Sequence, residues 1–226
     1  MDCYTFISYQ TADKQIAGRI KELLESIGIA SFLAHEDIDV SEEWRLKILE
    51  EIRKASVFIC ILSKSYFESS WCVQESGIAA FRADMTIIPL SLDGSIPQGF
   101  FSHIQSTKIS LENLALPVLF PALIQHDCTG TINEIIRIIG RSKSFRGAEA
   151  NFKMILPYLD DLTPEQNKDL LERSAENGQI HHAGLCATEY LPPILEKHGH
   201  LLNQETRNYL GGICEEYLAN KRDKMR

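Results

Sequence analysis

A chain of 226 residues, 44% of them hydrophobic, can bury a sizeable core, as one large domain or as one domain plus a smaller one. Its formal net charge of −8 argues against general affinity for nucleic acid or for anionic membranes. The six cysteines show no CxxC spacing, no stretch approaches a membrane span, and the first apolar run is broken at Gln10 and Asp13 rather than reading as a secretory leader. The expected location is therefore the reducing cytoplasm.

Residues 3–9 (CYTFISY) are rich in aromatic and β-branched side chains and predict a first strand. Thr11 can cap the helix that follows, in which Ile16, Ala17, Ile20, Leu23, Leu24 and Ile27 recur at helical spacing before Gly28 stops it. Residues 29–34 predict a second strand and 35–40 (HEDIDV) an acidic loop. Ser41 then caps a helix with Glu42 and Glu43 in its first turn and Trp44, Ile48, Ile52 and Ala55 on an apolar face, where Trp44 is expected as core. The fully apolar run 57–62 predicts a buried third strand, 71–82 a helix, 86–92 a fourth strand and 107–110 a short fifth. Helical patterns follow at 114–124 and 131–139.

Strands alternating with helices predict a parallel sheet covered on both faces, with right-handed crossovers. Five such strands fit a flavodoxin-like three-layer α/β domain. Around residues 140–147 (GRSKSFRG) the chain turns polar and basic between two glycines and reads as a linker. The expected organisation is a first domain over 1–142, a linker over 143–150 and a small all-helical subdomain over 151–226. In the latter, Thr163-Pro-Glu-Gln166 is a capping-box signature, Pro192-Pro193 interrupts a helical stretch, and Asn203 caps a last helix with Tyr209, Leu210, Ile213, Cys214, Tyr217 and Leu218 on one face.

Several chemistries are excluded by what the chain lacks. No GxGxxG follows the first strand and no GxSxG elbow is present. Gly94 and Gly99 have the glycine spacing of a phosphate loop, but Phe100 and Phe101 stand where Lys and Ser/Thr are needed. His181, His182, Cys186, His198 and His200 lack metal-ligand spacing, so no metal is expected. The basic end 221–226 (KRDKMR) reads as a solvated fray.

The stretch 63–81 carries the most pointed signal. It follows the buried third strand, and in a helix Trp71 and Glu75 lie one turn apart on one face. That sets an aromatic plane beside a carboxylate past the carboxyl end of a parallel strand, where ligands bind in open sheets. By spacing alone, Glu75 reads first as a surface carboxylate placed early in a helix for its dipole. Tyr9, Gln10 and Thr11 follow the first strand and are expected along the same edge. Ser63 ends the third strand, either facing the site or as a loop cap. Glu36 and Asp37 read by themselves as a solvated turn.

FISY at 6–9, the acidic loop after FLA at 32–34, and SSWCVQE at 69–75 together resemble a Toll/interleukin-1 receptor (TIR) domain over about residues 1–140, the bacterial and plant forms most. The helical tail lies outside the resemblance. Many TIR domains of this kind cleave NAD, with a catalytic Glu four residues after a Trp, which maps to Glu75 and Trp71. The resemblance implies that NAD is the substrate, with no further cofactor, and that Tyr9, Gln10, Thr11, Glu36, Asp37, Ser63 and Trp71 border it. In several active relatives a basic residue follows the FISY-like run, where this chain has Gln10. The expected reaction breaks the nicotinamide glycosidic bond, giving nicotinamide plus ADP-ribose or a cyclic ADP-ribose isomer, in antiviral defence or as a toxic effector. Expected partners are further copies of the chain through TIR–TIR contacts, and an effector or trigger acting on the helical tail. The alternative is a non-enzymatic TIR adaptor.

Overall fold

The computed structural model describes residues 3–34 and 44–224. The acidic loop, with Glu36, Asp37 and the expected cap Ser41, lies outside the described residues. The chain divides into two compact units, Met1–Cys128 and Thr129–Arg226.

In the first unit, β1 (Tyr4–Ser8), β2 (Ala30–Leu33), β3 (Val57–Leu62), β4 (Thr86–Ser91) and β5 (Thr107–Lys108) form one sheet in the order β2-β1-β3-β4-β5. All pairings are parallel, and the register sets Phe6 beside both Phe32 and Phe58, and Ser8 beside Cys60. This is the expected flavodoxin-like sheet, whose order reverses between β1 and β3. Each of the six residues of β3 is buried, as its unbroken apolar run requires of a central strand covered on both faces. The connecting helices are α1 (Lys14–Ser26), α2 (Trp44–Lys54), α3 (Lys64–Glu68), α4 (Ser70–Phe81) and α5 (Leu116–His126).

Alternation along β1 sends Phe6 and Ser8 to one face. There Phe6 stacks on Phe58 at 5.6 Å between ring centroids, within a core that includes Ile48 and Ile52 of α2, Tyr66 of α3, and Cys72 and Ala79 of α4. The residues covering Ser8 are therefore those of α3 and α4.

Two details of this unit depart from expectation. Thr11 does not cap α1. It opens a 3-10 turn (Thr11–Asp13) whose first amides are served by Gln10, its side-chain oxygen accepting from the Ala12 amide at 2.6 Å. Trp44 is not core: it is 46% exposed, because it is the first residue of α2 and the buried stripe begins one turn later at Ile48.

The second unit is helical throughout its described elements: α6 (Cys128–Gly140), α7 (Phe145–Phe152), α8 (Pro164–Glu176), α9 (Gly178–His181), α10 (Leu191–His198) and α11 (Gln204–Lys224). The expected linker is corrected here, since residues 145–152 form α7. Ser144 caps it by accepting from the Gly147 amide, and Ala148 and Phe152 are buried at helical spacing. The division between units falls after the first residue of α6, between Cys128 and Thr129, rather than at the expected residue 142. Helix α6 packs with α8, where the Gln166 amide group donates to the Thr129 carbonyl and to Asn133 Oδ1 at 2.8 Å. Gly140 is part of that packing, because a Cβ there would lie 2.8 Å from Arg173 Cδ.

The capping box at Thr163 and Gln166 is present in full, and Asn203 accepts from the Thr206 amide at the start of α11. Pro192-Pro193 opens α10 rather than interrupting it, in the first turn, where a missing amide costs nothing. A single π turn, Cys186–Tyr190, precedes it. Among the described residues no helix is long and apolar enough to cross a membrane.

Candidate active site

The carboxyl ends of β1 and β3 bracket the point where the strand order reverses, and the chemistry-bearing side chains converge there. Ser8 ends β1. Ser63 follows β3 and caps α3, its Oγ accepting from the Tyr66 amide. That cap fixes α3 so that Tyr66 points back under the sheet. Ser69 caps α4 in turn, accepting from the Cys72 amide at 3.3 Å. Two serine caps in succession thus aim α3 and α4 at β1.

Glu75 sits in the second turn of α4 and is 1% exposed. The reading as a surface carboxylate serving the helix dipole is thereby removed. The Ser8 hydroxyl donates to Glu75 Oε2 at 2.5 Å, and Oε1 is buried with no hydrogen-bond partner among the described residues. Burial, opposed by the Ser8 bond, pushes the Glu75 carboxyl up to about 7. At neutral pH such a group is divided between acid and anion, the poise suited to a catalytic carboxylate.

Behind Ser8 the network continues. The Tyr66 and Ser8 hydroxyls are 2.9 Å apart, the Tyr66 and Ser76 hydroxyls 2.8 Å, and Tyr66 Oη also reaches the Cys72 carbonyl at 3.4 Å. Cys72 donates its thiol to the Tyr9 carbonyl at 3.5 Å, and burial raises it to about 11, so it stays a thiol rather than a nucleophile. Ser76 and Tyr66 line a groove of about 430 Å³ beside α4, walled by Phe67, Val73, Gln98 and Phe100.

The sequence-predicted residues divide into two groups. Tyr9 is fully buried next to Ser8, and Glu75 is in contact with Ser8 itself. Gln10 and Thr11 follow on the turn at the same strand end. Ser63 faces that turn, donating to Asp13 Oδ2 at 3.1 Å besides capping α3. Burial raises the Asp13 carboxyl, with the Ser63 bond opposing. Trp71 is 40% exposed one turn before Glu75, so it is a surface aromatic rather than core.

Sequence reasoning missed Ser8, Tyr66, Ser76 and Asp13. Ser8 was visible as the S of FISY, a hydroxyl ending an apolar strand. Tyr66 was not marked by any pattern, since an aromatic three residues after a cap reads as ordinary packing. Among the described residues no group of three or more His, Cys, Asp or Glu could hold a metal ion.

Comparison with known proteins agrees with this architecture. Residues 5–115 match the family model of the TIR domain. Among solved structures that match is the TIR domain of the Toll-related receptor TRR-2 from Hydra magnipapillata, at 20% sequence identity and a TM-score of 0.45, covering 54% of this chain and 94% of that one. No curated protein matches the chain. The first unit is a TIR domain.

Proposed function

We propose that this TIR domain is of the bacterial, NAD-cleaving type and that Glu75 is its catalytic residue. The observation that carries the reading is the state of that carboxylate: buried at the β1/β3 switch point, one oxygen held by Ser8 and the other without a partner among the described residues. A TIR module working only by surface contact has no use for a buried, half-satisfied carboxylate, which costs stability.

The chemistry asks for little more. In NAD the nicotinamide ring is cationic, so the glycosidic C–N bond breaks with its electron pair passing to the ring nitrogen. The base leaves neutral and needs no general acid, unlike an ordinary glycoside, which requires paired carboxyl groups. The ionised Glu75 carboxylate stabilises the positive ribose left behind, by charge or by hydrogen bonds to its hydroxyls. Water adding to the anomeric carbon, with loss of its proton, gives ADP-ribose. A nucleophile of the same molecule gives a cyclic isomer, favoured as water is excluded. Trp71, exposed one turn away, stacks on a base or closes the site to water. Self-association through TIR–TIR contacts and a role in antiviral defence or as a toxic effector belong to the same reading.

The test is NAD consumption by the purified full chain over a range of concentrations, for wild type and Glu75→Gln, with products separated by chromatography. Glu75→Gln is expected to lower turnover by on the order of 10²-fold or more. Turnover that survives the substitution overturns the site. No turnover by wild type at any concentration moves the adaptor reading to first place.

A further inference from the structure

Three hydroxyls behind Glu75 are left unused by this mechanism, and they form a single file. Ser76, Tyr66 and Ser8 come from α4, α3 and β1, and their oxygens are spaced 2.8 and 2.9 Å apart before the final 2.5 Å to Glu75 Oε2. Ser8 and Tyr66 have no exposed surface and Ser76 is buried, yet Ser76 lines the groove beside α4. Serine hydroxyls near an apolar core most often return their proton to a local carbonyl. The Ser8 hydroxyl instead reaches a carboxylate 67 residues away in sequence.

We propose that Tyr66 and Ser8 are positioning residues that favour the ionised form of the Glu75 carboxylate and connect its proton to the groove at Ser76. This rests on the reading of Glu75 as the catalytic group. With the carboxylate ionised, every hydroxyl in the file donates toward it, Ser76 to Tyr66, Tyr66 to Ser8 and Ser8 to Oε2. With the carboxyl protonated, every bond reverses. On ionisation the Glu75 proton passes to Ser8, the Ser8 proton to Tyr66, the Tyr66 proton to Ser76 and the Ser76 proton to water in the groove. One proton leaves and each hydroxyl ends neutral.

Tyr66 is the pivot because its oxygen is within hydrogen-bond distance of both serines, while the Cys72 carbonyl at 3.4 Å is a longer, competing acceptor for its one proton. Burial holds the Tyr66 hydroxyl well above its usual range, so it donates at any working pH. The other titratable neighbours, Cys72 on α4 and Cys60 on β3, are kept as thiols by burial. From α2, Glu51 is engaged elsewhere, by Tyr4 and Lys54. The 3-10 turn packed against α4 (Gly99–Phe101) carries no titratable group.

The test follows Glu75 directly, without substrate. The full chain is labelled with ¹³C at glutamate Cδ, Glu75 is assigned as the resonance missing from Glu75→Gln, and its titration is compared in wild type, Tyr66→Phe and Ser76→Ala. Tyr66→Phe keeps the ring and removes one oxygen. It is expected to raise the Glu75 midpoint by about one pH unit. Ser76→Ala, one bond further away, is expected to raise it by less, and it serves alone if Tyr66→Phe fails to fold. Midpoints that coincide with wild type overturn the proposal. NAD turnover against pH is read in parallel: its acid limb is expected to move with the midpoint. A midpoint that moves in a protein with no NAD turnover upholds the relay while overturning the function assigned to Glu75.

Discussion

The Ser8 hydroxyl and the Glu75 carboxylate meet at 2.5 Å, joining the end of the first strand to the second turn of α4 across 67 residues of sequence. This one bond offsets only part of the cost of burying the carboxylate, because among the described residues Oε1 has no partner to share it. The residual cost is what lifts Glu75 from its ordinary 4.5 to about 7.

That shift makes stability depend on pH with a definite sign. Between pH 4.5 and about 7 the unfolded chain releases the Glu75 proton while the folded chain retains it. The unfolded state then binds fewer protons, so this group lowers stability as pH rises through that window, and the loss is complete above it. The full effect is about 3 kcal/mol. Glu75→Gln carries no such charge. Its stability relative to wild type is expected to be near zero at pH 4.5 and to climb by up to that amount by pH 8. Urea unfolding of both proteins across the range measures it, and a difference independent of pH would refute the buried, raised carboxyl.

A second prediction concerns how α2 is held. Arg82, just past α4, donates through Nη1 to the carbonyls of Ile52 at 2.7 Å, Arg53 at 3.1 Å and Ala55 at 2.6 Å. These are the acceptors that the end of α2 leaves without intrahelical donors, and the positive charge suits a helix C-terminus. Arg82→Ala is expected to destabilise the chain by about 2 kcal/mol. Arg82→Lys recovers only part of this, since one ammonium cannot serve the α2 carbonyls and also hold Asp84, which Nε and Nη2 of the arginine do. Hydrogen exchange of the last-turn amides of α2 reports the local opening.

The five strands, the burial of β3 and the placement of Glu75 past a strand end followed from the sequence because each depends on local pattern. An apolar run of six residues has few homes other than a central strand, and a helix beginning after a serine cap fixes the height of Glu75 above the sheet. What the pattern could not supply was the contact between distant elements. Whether Glu75 faces solvent or Ser8 depends on the rotation of α4, which is set by packing of Cys72 and Ala79 against the sheet. The misplaced linker has a similar origin. Glycine and serine at 140–147 suggest a break, but Gly140 is there for the approach of Arg173, and Ser144 for the cap of α7.

The last prediction separates two roles within one motif. In the capping box, Thr163 Oγ1 accepts from the Gln166 amide at 3.2 Å and Gln166 Oε1 accepts from the Thr163 amide at 3.0 Å. Gln166 also spends its side-chain N–H groups on the Thr129 carbonyl and on Asn133, so it ties α8 to α6 as well as closing its own helix. Thr163→Ala removes the cap alone and is expected to cost about 1 kcal/mol, felt in the first turn of α8. Gln166→Ala removes the reciprocal half of the capping box and both bonds to α6, and is expected to cost about 2 kcal/mol, felt in both helices. Hydrogen exchange resolves the two. Loss of protection confined to α8 in both variants would show that the α6 bonds add nothing. Loss extending to the amides around Asn133 in Gln166→Ala alone would establish that the motif is a joint between helices as well as a cap.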